Sequence, residues 1–297
     1  MPAIIEIDGL EKRYGDRTVL DALSLDIGEG VFALLGPNGS GKTTLVSILT
    51  TLLYPEAGTA RILGHDVTRE RTTVRRLIAA TGQYASIDEM LTSRENLTML
   101  GRLLGLAPRR ASRRTEELLD AFELEDAADR PVSGFSGGMR RRLDLAASII
   151  RTPAVLFLDE PSTGLDPMSR TRLWAQIAEL ATEGCTVFLT TQMLDEAEAL
   201  ADRVAVLRDG TIVADGTVDA LKRLVGGQTA VLVDDDDVVQ RTFETDGSAA
   251  SVAELLQDLP EHERRLRLEF RSPTLDDAFI ALTDPTNPGR SAQEAAA

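Results

Sequence analysis

Eight consecutive residues, Gly36-Pro37-Asn38-Gly39-Ser40-Gly41-Lys42-Thr43, limit the folds open to this chain more than any other feature. They fit G-x-x-x-x-G-K-[ST], follow the apolar run Val31–Leu35 and open onto a helix-forming stretch. A run that is apolar at every position suits a strand buried on both faces of a parallel sheet. Glycines let the backbone wrap closely, so successive N–H groups and the helix N-terminus face phosphate oxygens. In such a loop Lys42 reaches the β- and γ-phosphates, the Thr43 hydroxyl ligates magnesium, and Thr44 continues the phosphate-facing turn. Residue frequencies alone produce the pattern in about 1% of chains of this length. The flanking strand and helix distinguish it from a glycine-rich turn with a chance lysine.

The rest of the chain reads as an α/β fold built around that loop. Ile5 and Ile7, then Val19, Leu23, Leu25 and Ile27, alternate as half-buried strands of an N-terminal antiparallel β subdomain. From Glu95 to about Ile150 the apolar spacing becomes helical, which predicts an inserted helical subdomain at about 86–150. Buried strands return at 154–159 and Thr186–Thr191 around a helix at 169–182, and VAVL at 204–207 turns through Asp209-Gly210 into a hairpin partner. The character changes after Leu224. Gly226-Gly227-Gln228 reads as a linker, and 225–284 as a small α+β domain. That domain has strands at TAVLV and 265–270 and helices at 251–259 and 273–282, the last capped by Ser272. The acidic run 234–237 lacks the spaced ligands and glycine of a calcium loop and reads as a solvated turn. Residues 285–297 read as a flexible tail.

The strand ending at Leu158 delivers Asp159 and Glu160 to its carboxyl end. A carboxylate there can hold magnesium, and the adjacent Glu160 is placed to polarise an attacking water. "LDE" alone is a weak signal, but downstream of a phosphate loop it is a strong one. Phe135-Ser136-Gly137-Gly138-Met139, followed by three arginines and an apolar helix, supplies a second phosphate-facing helix start.

At this point residues 4–224 resemble the ATP-binding-cassette (ABC) family, whose signature LSGGQ appears here as FSGGM. The resemblance implies a phosphate-loop NTPase that binds ATP and Mg2+. It assigns Gln83 to the Q-loop as a magnesium and nucleotide contact, PSTGLD at 161–166 to the D-loop, and Tyr14 to adenine stacking. Ser136, Gly137 and Gly138 become contacts to the nucleotide of a second cassette. One position departs from the family: where the switch histidine follows the strand TVFLTT, this chain has Gln192. Glutamine can donate a hydrogen bond to the γ-phosphate but cannot carry an imidazolium charge. His65, in GHD, reads as a plain turn residue.

The run from FSGGM to PSTGLDP, the Gln192 replacement and the ending RSPTLDDAFIALT together resemble the daunorubicin/doxorubicin-resistance branch of prokaryotic multidrug exporters. That branch implies an ATPase subunit, peripheral on the cytoplasmic face of the membrane, that pairs with a separate permease and a second cassette, usually an identical chain. Composition agrees. No run approaches the roughly 18 apolar residues of a span, and the N-terminus lacks a signal-peptide layout. The single Cys185 can form no internal disulfide. Lys12, Lys42 and Lys222 are the only lysines, which fits either a salt-rich cytoplasm or GC-rich coding. The net charge of −16 argues against nucleic acid as a partner. A soluble non-transport ABC ATPase and a weakly hydrolysing regulatory cassette remain as alternatives.

Overall fold

The computed structural model describes residues 3–81, 87–226, 228–234, 238–246, 248–257, 259–260 and 263–283. The chain divides into two compact units, Met1–Asp215 and Gly216–Ala297.

The first unit begins with a hairpin of β1 (Ile5–Tyr14) and β2 (Arg17–Ile27), whose alternating apolar residues bury one face. Next come β3 (Val31–Leu35), buried at every position, and α1 (Lys42–Leu49). β4 (Ala57–Ile62) pairs antiparallel with β1 and then with the short β5 (His65–Asp66), giving a sheet of order β2-β1-β4-β5. His65, read from the sequence as a turn residue, instead lies on β5 in register with Ile62, its ring against Glu70, because the chain pairs back onto β4 straight after the turn at Leu63-Gly64.

α2 (Arg71–Leu77) leads into β6 (Ile78–Thr81). The helical insertion comprises α3 (Ser93–Leu103), α4 (Pro108–Ala121) and α5 (Gly137–Ser148). α3 starts at a reciprocal cap, in which Thr92 accepts from the Glu95 N–H and Glu95 accepts from the Thr92 N–H. β7 (Val155–Asp159), α6 (Pro167–Thr182), β8 (Thr186–Thr191), α7 (Leu194–Leu200), β9 (Arg203–Arg208) and β10 (Thr211–Gly216) complete the core.

The second sheet has the order β10-β9-β3-β8-β7-β6, parallel from β9 to β6. β10 returns through a two-residue turn, Asp209 at φ 48° and Gly210 at φ 82°, the conformation that matches strand twist in a tight hairpin. Phe32, Phe157 and Phe188 lie in register on β3, β7 and β8 with ring centroids 5.3 and 5.4 Å apart. They belong to one apolar cluster with α1 and the inner face of the antiparallel sheet. Cys185 is buried beside this sheet, and burial pushes its thiol up to about 11, which disfavours the thiolate.

The second unit contains α8 (Val218–Arg223), β11 (Gln228–Val233), β12 (Val239–Thr245), α9 (Ala249–Gln257), β13 (Arg267–Arg271) and α10 (Leu275–Thr283). β11 is central, antiparallel to both neighbours. The division between units falls before α8 rather than after Leu224, because α8 buries Leu221 and packs with α10. The last helix is capped by Thr274, not Ser272. Thr274 Oγ1 accepts from the Asp277 N–H at 3.1 Å, and Asp277 accepts from the Thr274 N–H at 2.9 Å. Residues 235–237 of the acidic turn, Gly227 of the linker and the tail from 284 lie outside the described residues.

Candidate functional site

Three parallel strands end side by side. Leu35 of β3 is in register with Thr191 of β8, and Asp159 of β7 with Thr190. The residues that follow these ends therefore converge at one edge, where ligands of open α/β sheets bind. They are the loop Gly36–Gly41, the pair Asp159-Glu160, and Gln192.

The loop admits only glycine at two of its positions. A Cβ at Gly36 would lie 2.5 Å from the Leu207 carbonyl oxygen, and one at Gly41, where φ is +114°, would lie 2.8 Å from that of Val19. Lys42 is buried at the start of α1, and its Nζ donates to the carbonyls of Gly36 (2.6 Å) and Pro37 (3.2 Å). Burial lowers its pKa, while Glu160 and Asp159 pull it back up. The Ser40 hydroxyl is buried inside the loop without a hydrogen-bond partner. Thr44 is half-buried on α1.

Thr43 Oγ1 donates to Asp159 Oδ2 at 3.3 Å, and Thr190 Oγ1 donates to the other carboxylate oxygen. Glu160 follows in the left-handed region at φ 47°, held by its N–H to the Thr190 carbonyl at 3.0 Å. Gln192 Nε2 bridges two loops, donating to Asn38 Oδ1 at 2.8 Å and to Glu160 Oε1. Thr163 Oγ1 donates to the second Glu160 oxygen at 3.4 Å. Both carboxylates are thus aimed by neighbours from three strand ends. A carboxylate held beside a cationic loop can orient and polarise a water there.

The signature residues form a separate place. Ser136 caps α5, accepting from the Met139 N–H at 3.2 Å, and among the described residues no hydrogen bond joins it to the phosphate loop. Gly137 faces open space, whereas a Cβ on Gly138 would lie 2.3 Å from Ser169 Oγ. Ser169 in turn bonds Asp166, the cap of α6 and the end of PSTGLD. Tyr14 is 51% exposed at the end of β1, with Lys12 Nζ 5.5 Å from its ring centroid. Its register partner Arg17 donates to the Gly39 carbonyl at 3.2 Å, which links this hairpin to the phosphate loop. Gln83 lies outside the described residues.

Two residues were not singled out by the sequence. Arg17 leaves no signal, since its partner is a main-chain oxygen. Arg141 donates from α5 to the carbonyls of Pro161 and Asp159, and only the unusual run of three arginines marked its neighbourhood.

A glycine-lined anion loop, a threonine–aspartate pair and an aimed glutamate at the ends of parallel strands define a phosphate-loop nucleotide hydrolase. The ABC transporter family model matches residues 20–163. The daunorubicin resistance ATP-binding protein DrrA2 of Streptomyces coeruleorubidus is 47% identical over 98% of this chain and 98% of its own length. The Nod factor export ATP-binding protein I of Paraburkholderia xenovorans is 37% identical over 95% and 97%. A solved ATP-binding subunit of an ABC transporter superposes with a TM-score of 0.66 at 29% identity, covering 74% of this chain and 92% of that one. The chain belongs to the ABC transporter family, among its ATP-hydrolysing subunits.

Proposed function

We propose that the chain powers export of drugs or other hydrophobic compounds through a separately encoded permease, as one of two cassettes that close around two ATP molecules. No helix among the described residues is long and apolar enough to cross a membrane, which is consistent with a permease supplying the path. The full-length match to drug-resistance and Nod-factor export subunits supports an exporter.

The observation that carries the ATPase reading is the bridge from Gln192 to both Asn38 and Glu160, which sets the glutamate directly beside the phosphate loop. Gly36, Asn38, Gly39, Ser40, Gly41 and Thr44 wrap the phosphates; Lys42 exchanges its carbonyl partners for phosphate oxygens; Tyr14 stacks on the base. The unpartnered Ser40 hydroxyl fits a ligand that brings hydrogen-bonding atoms. Thr43 and Asp159 offer the hard oxygen donors that magnesium takes, with Gln83 as the further ligand the family supplies. That ion would neutralise charge on the β- and γ-phosphate oxygens. Glu160 accepts a proton from the attacking water, and one N–H of Gln192 holds Glu160 in line while the other exchanges Asn38 for the γ-phosphate. Ser136 and Gly137, exposed at the start of α5, meet the nucleotide of the second, identical cassette, and ATP-driven closure is passed to the permease as a population shift.

The test is transport in inverted vesicles containing the chain and the permease encoded beside it. ATP-dependent accumulation of daunorubicin that disappears with Lys42→Ala is expected. Accumulation unaffected by that change would overturn the reading.

A further inference from the structure

Arg141 lies one turn beyond the signature glycines, on α5. Its Nε donates to the Pro161 carbonyl at 2.7 Å and its Nη2 to the Asp159 carbonyl at 3.4 Å. These are the carbonyls on either side of Glu160. We infer that Arg141 is a positioning residue for Glu160, tying the carboxylate of one nucleotide site to the helix whose first turn serves the other.

Three observations carry this. First, the guanidinium does not make the pairing that would serve stability alone. Asp144, three residues on along α5, keeps Oδ1 buried without a hydrogen-bond partner, and so does Glu196 with Oε2 on α7. Both lie close enough to act on Arg141 electrostatically, yet both of its hydrogen bonds go to the loop backbone. Second, the burial that lowers its pKa means that it gave up hydration to reach that loop. Third, the clamped peptide holds a residue in the left-handed region, at φ 47°. Such a conformation persists only where its surroundings over-determine it. Glu160 has anchors on its own N–H, on the carbonyl of the preceding residue Asp159 and on that of the following residue Pro161.

A planar fork can span two carbonyls that a lysine ammonium, a point charge, cannot. Movement of α5, when a second cassette presses on Ser136 and Gly137, is then transmitted by Arg141 to the backbone of Glu160. The inference rests on the role proposed above for Glu160.

The experiment is a cycle on the full chain: Arg141→Met, Arg141→Lys, Glu160→Gln and the Arg141→Met/Glu160→Gln pair. It reads ATP affinity by fluorescent-nucleotide titration, together with KM and kcat for MgATP. Trp174, the only tryptophan, donates its indole N–H to Glu196 at 3.0 Å, so its emission reports folding in the same buried region. Arg141→Met is expected to lower kcat about 10–100-fold with affinity and KM within about two-fold, as misplacing a catalytic group by about 1 Å does. The pair should be no slower than Glu160→Gln alone, because residues that act as a unit are not additive. Should Trp174 emission show that Arg141→Met unfolds, Arg141→Lys replaces it. Unchanged kcat, a loss confined to ATP affinity, or additive losses in the pair would overturn the inference. Normal turnover in Glu160→Gln alone would instead remove the role assigned to Glu160, a separate failure.

Discussion

Lys42 is the one lysine within the phosphate loop, so Lys42→Ala is expected to abolish ATP binding or nearly so, read by nucleotide titration. Glu160→Gln should keep binding and lower turnover by about 10²–10⁴, with an ATP-bound dimer accumulating on size exclusion. Gln192 has a subtler assignment. Its amide already serves two acceptors, so Gln192→Ala frees Glu160 and should slow hydrolysis while ATP still binds. Gln192→His should not recover the wild-type rate, because one ring nitrogen cannot serve both Asn38 and Glu160. Wild-type rates in Gln192→Ala would deny that side chain any part. Asp144 yields a pH prediction. Burial pushes its carboxyl up to about 6 from an ordinary 3.8, so its charge opposes folding. The penalty is absent below 3.8, grows up to about 6 and is complete above it. Allowing for partial exposure, Asp144→Asn should stabilise by about 1–2 kcal/mol near pH 8, a melting shift of a few degrees that shrinks toward pH 5. At this scale the sequence was legible wherever chemistry is contiguous, as in Gly36–Thr43 or Asp159-Glu160. The Asn38–Gln192 contact, 154 positions apart, was not, since no spacing rule relates residues brought together by a sheet.

Among the elements, α5 separates two glycines that sequence treats alike. A methyl on Gly138 would strike Ser169, which is engaged with the Asp166 cap of α6, so Gly138→Ala should cost about 1–3 kcal/mol and lower the melting temperature. Gly137 has nothing within 4 Å, so Gly137→Ala should melt as wild type yet lose ATP-dependent dimerisation. A lower melting temperature for Gly137→Ala would show that this turn is packed after all. The elements were largely readable from periodicity, because buried parallel strands and amphipathic helices impose it directly. Their ends were less so. Ser272 and Thr274 are both hydroxyl residues ahead of an apolar run, and what selects Thr274 is the carboxylate of Asp277 three positions later, able to answer its cap.

For the whole molecule, the two compact units place every described nucleotide motif in the first. A chain ending at Gly216 should bind ATP with unchanged affinity in the same titration; loss of binding by a folded truncation would assign part of the site to the second unit. Ending at Leu224 instead would strand α8, with Leu221 uncovered where α10 had packed. The sheet order holds a further consequence, for how the molecule is made. β8 lies between β3 and β7 but is synthesised after both. Until it arrives, two strands that are almost wholly apolar lack partners: Val155–Asp159 on one edge and Val31–Leu35 on both, since its other neighbour β9 is made later still, and such edges are the template on which chains aggregate. At about 5–20 residues per second, the ribosome takes roughly 2–6 s to pass from the end of β7 to the end of β8. The helical insertion, whose contacts are local, has time to fold in advance, while the central slot stays open. The nascent chain is therefore most exposed to misassembly just before its middle strand emerges, and ATP cannot rescue it, because the binding edge exists only once that strand is in place.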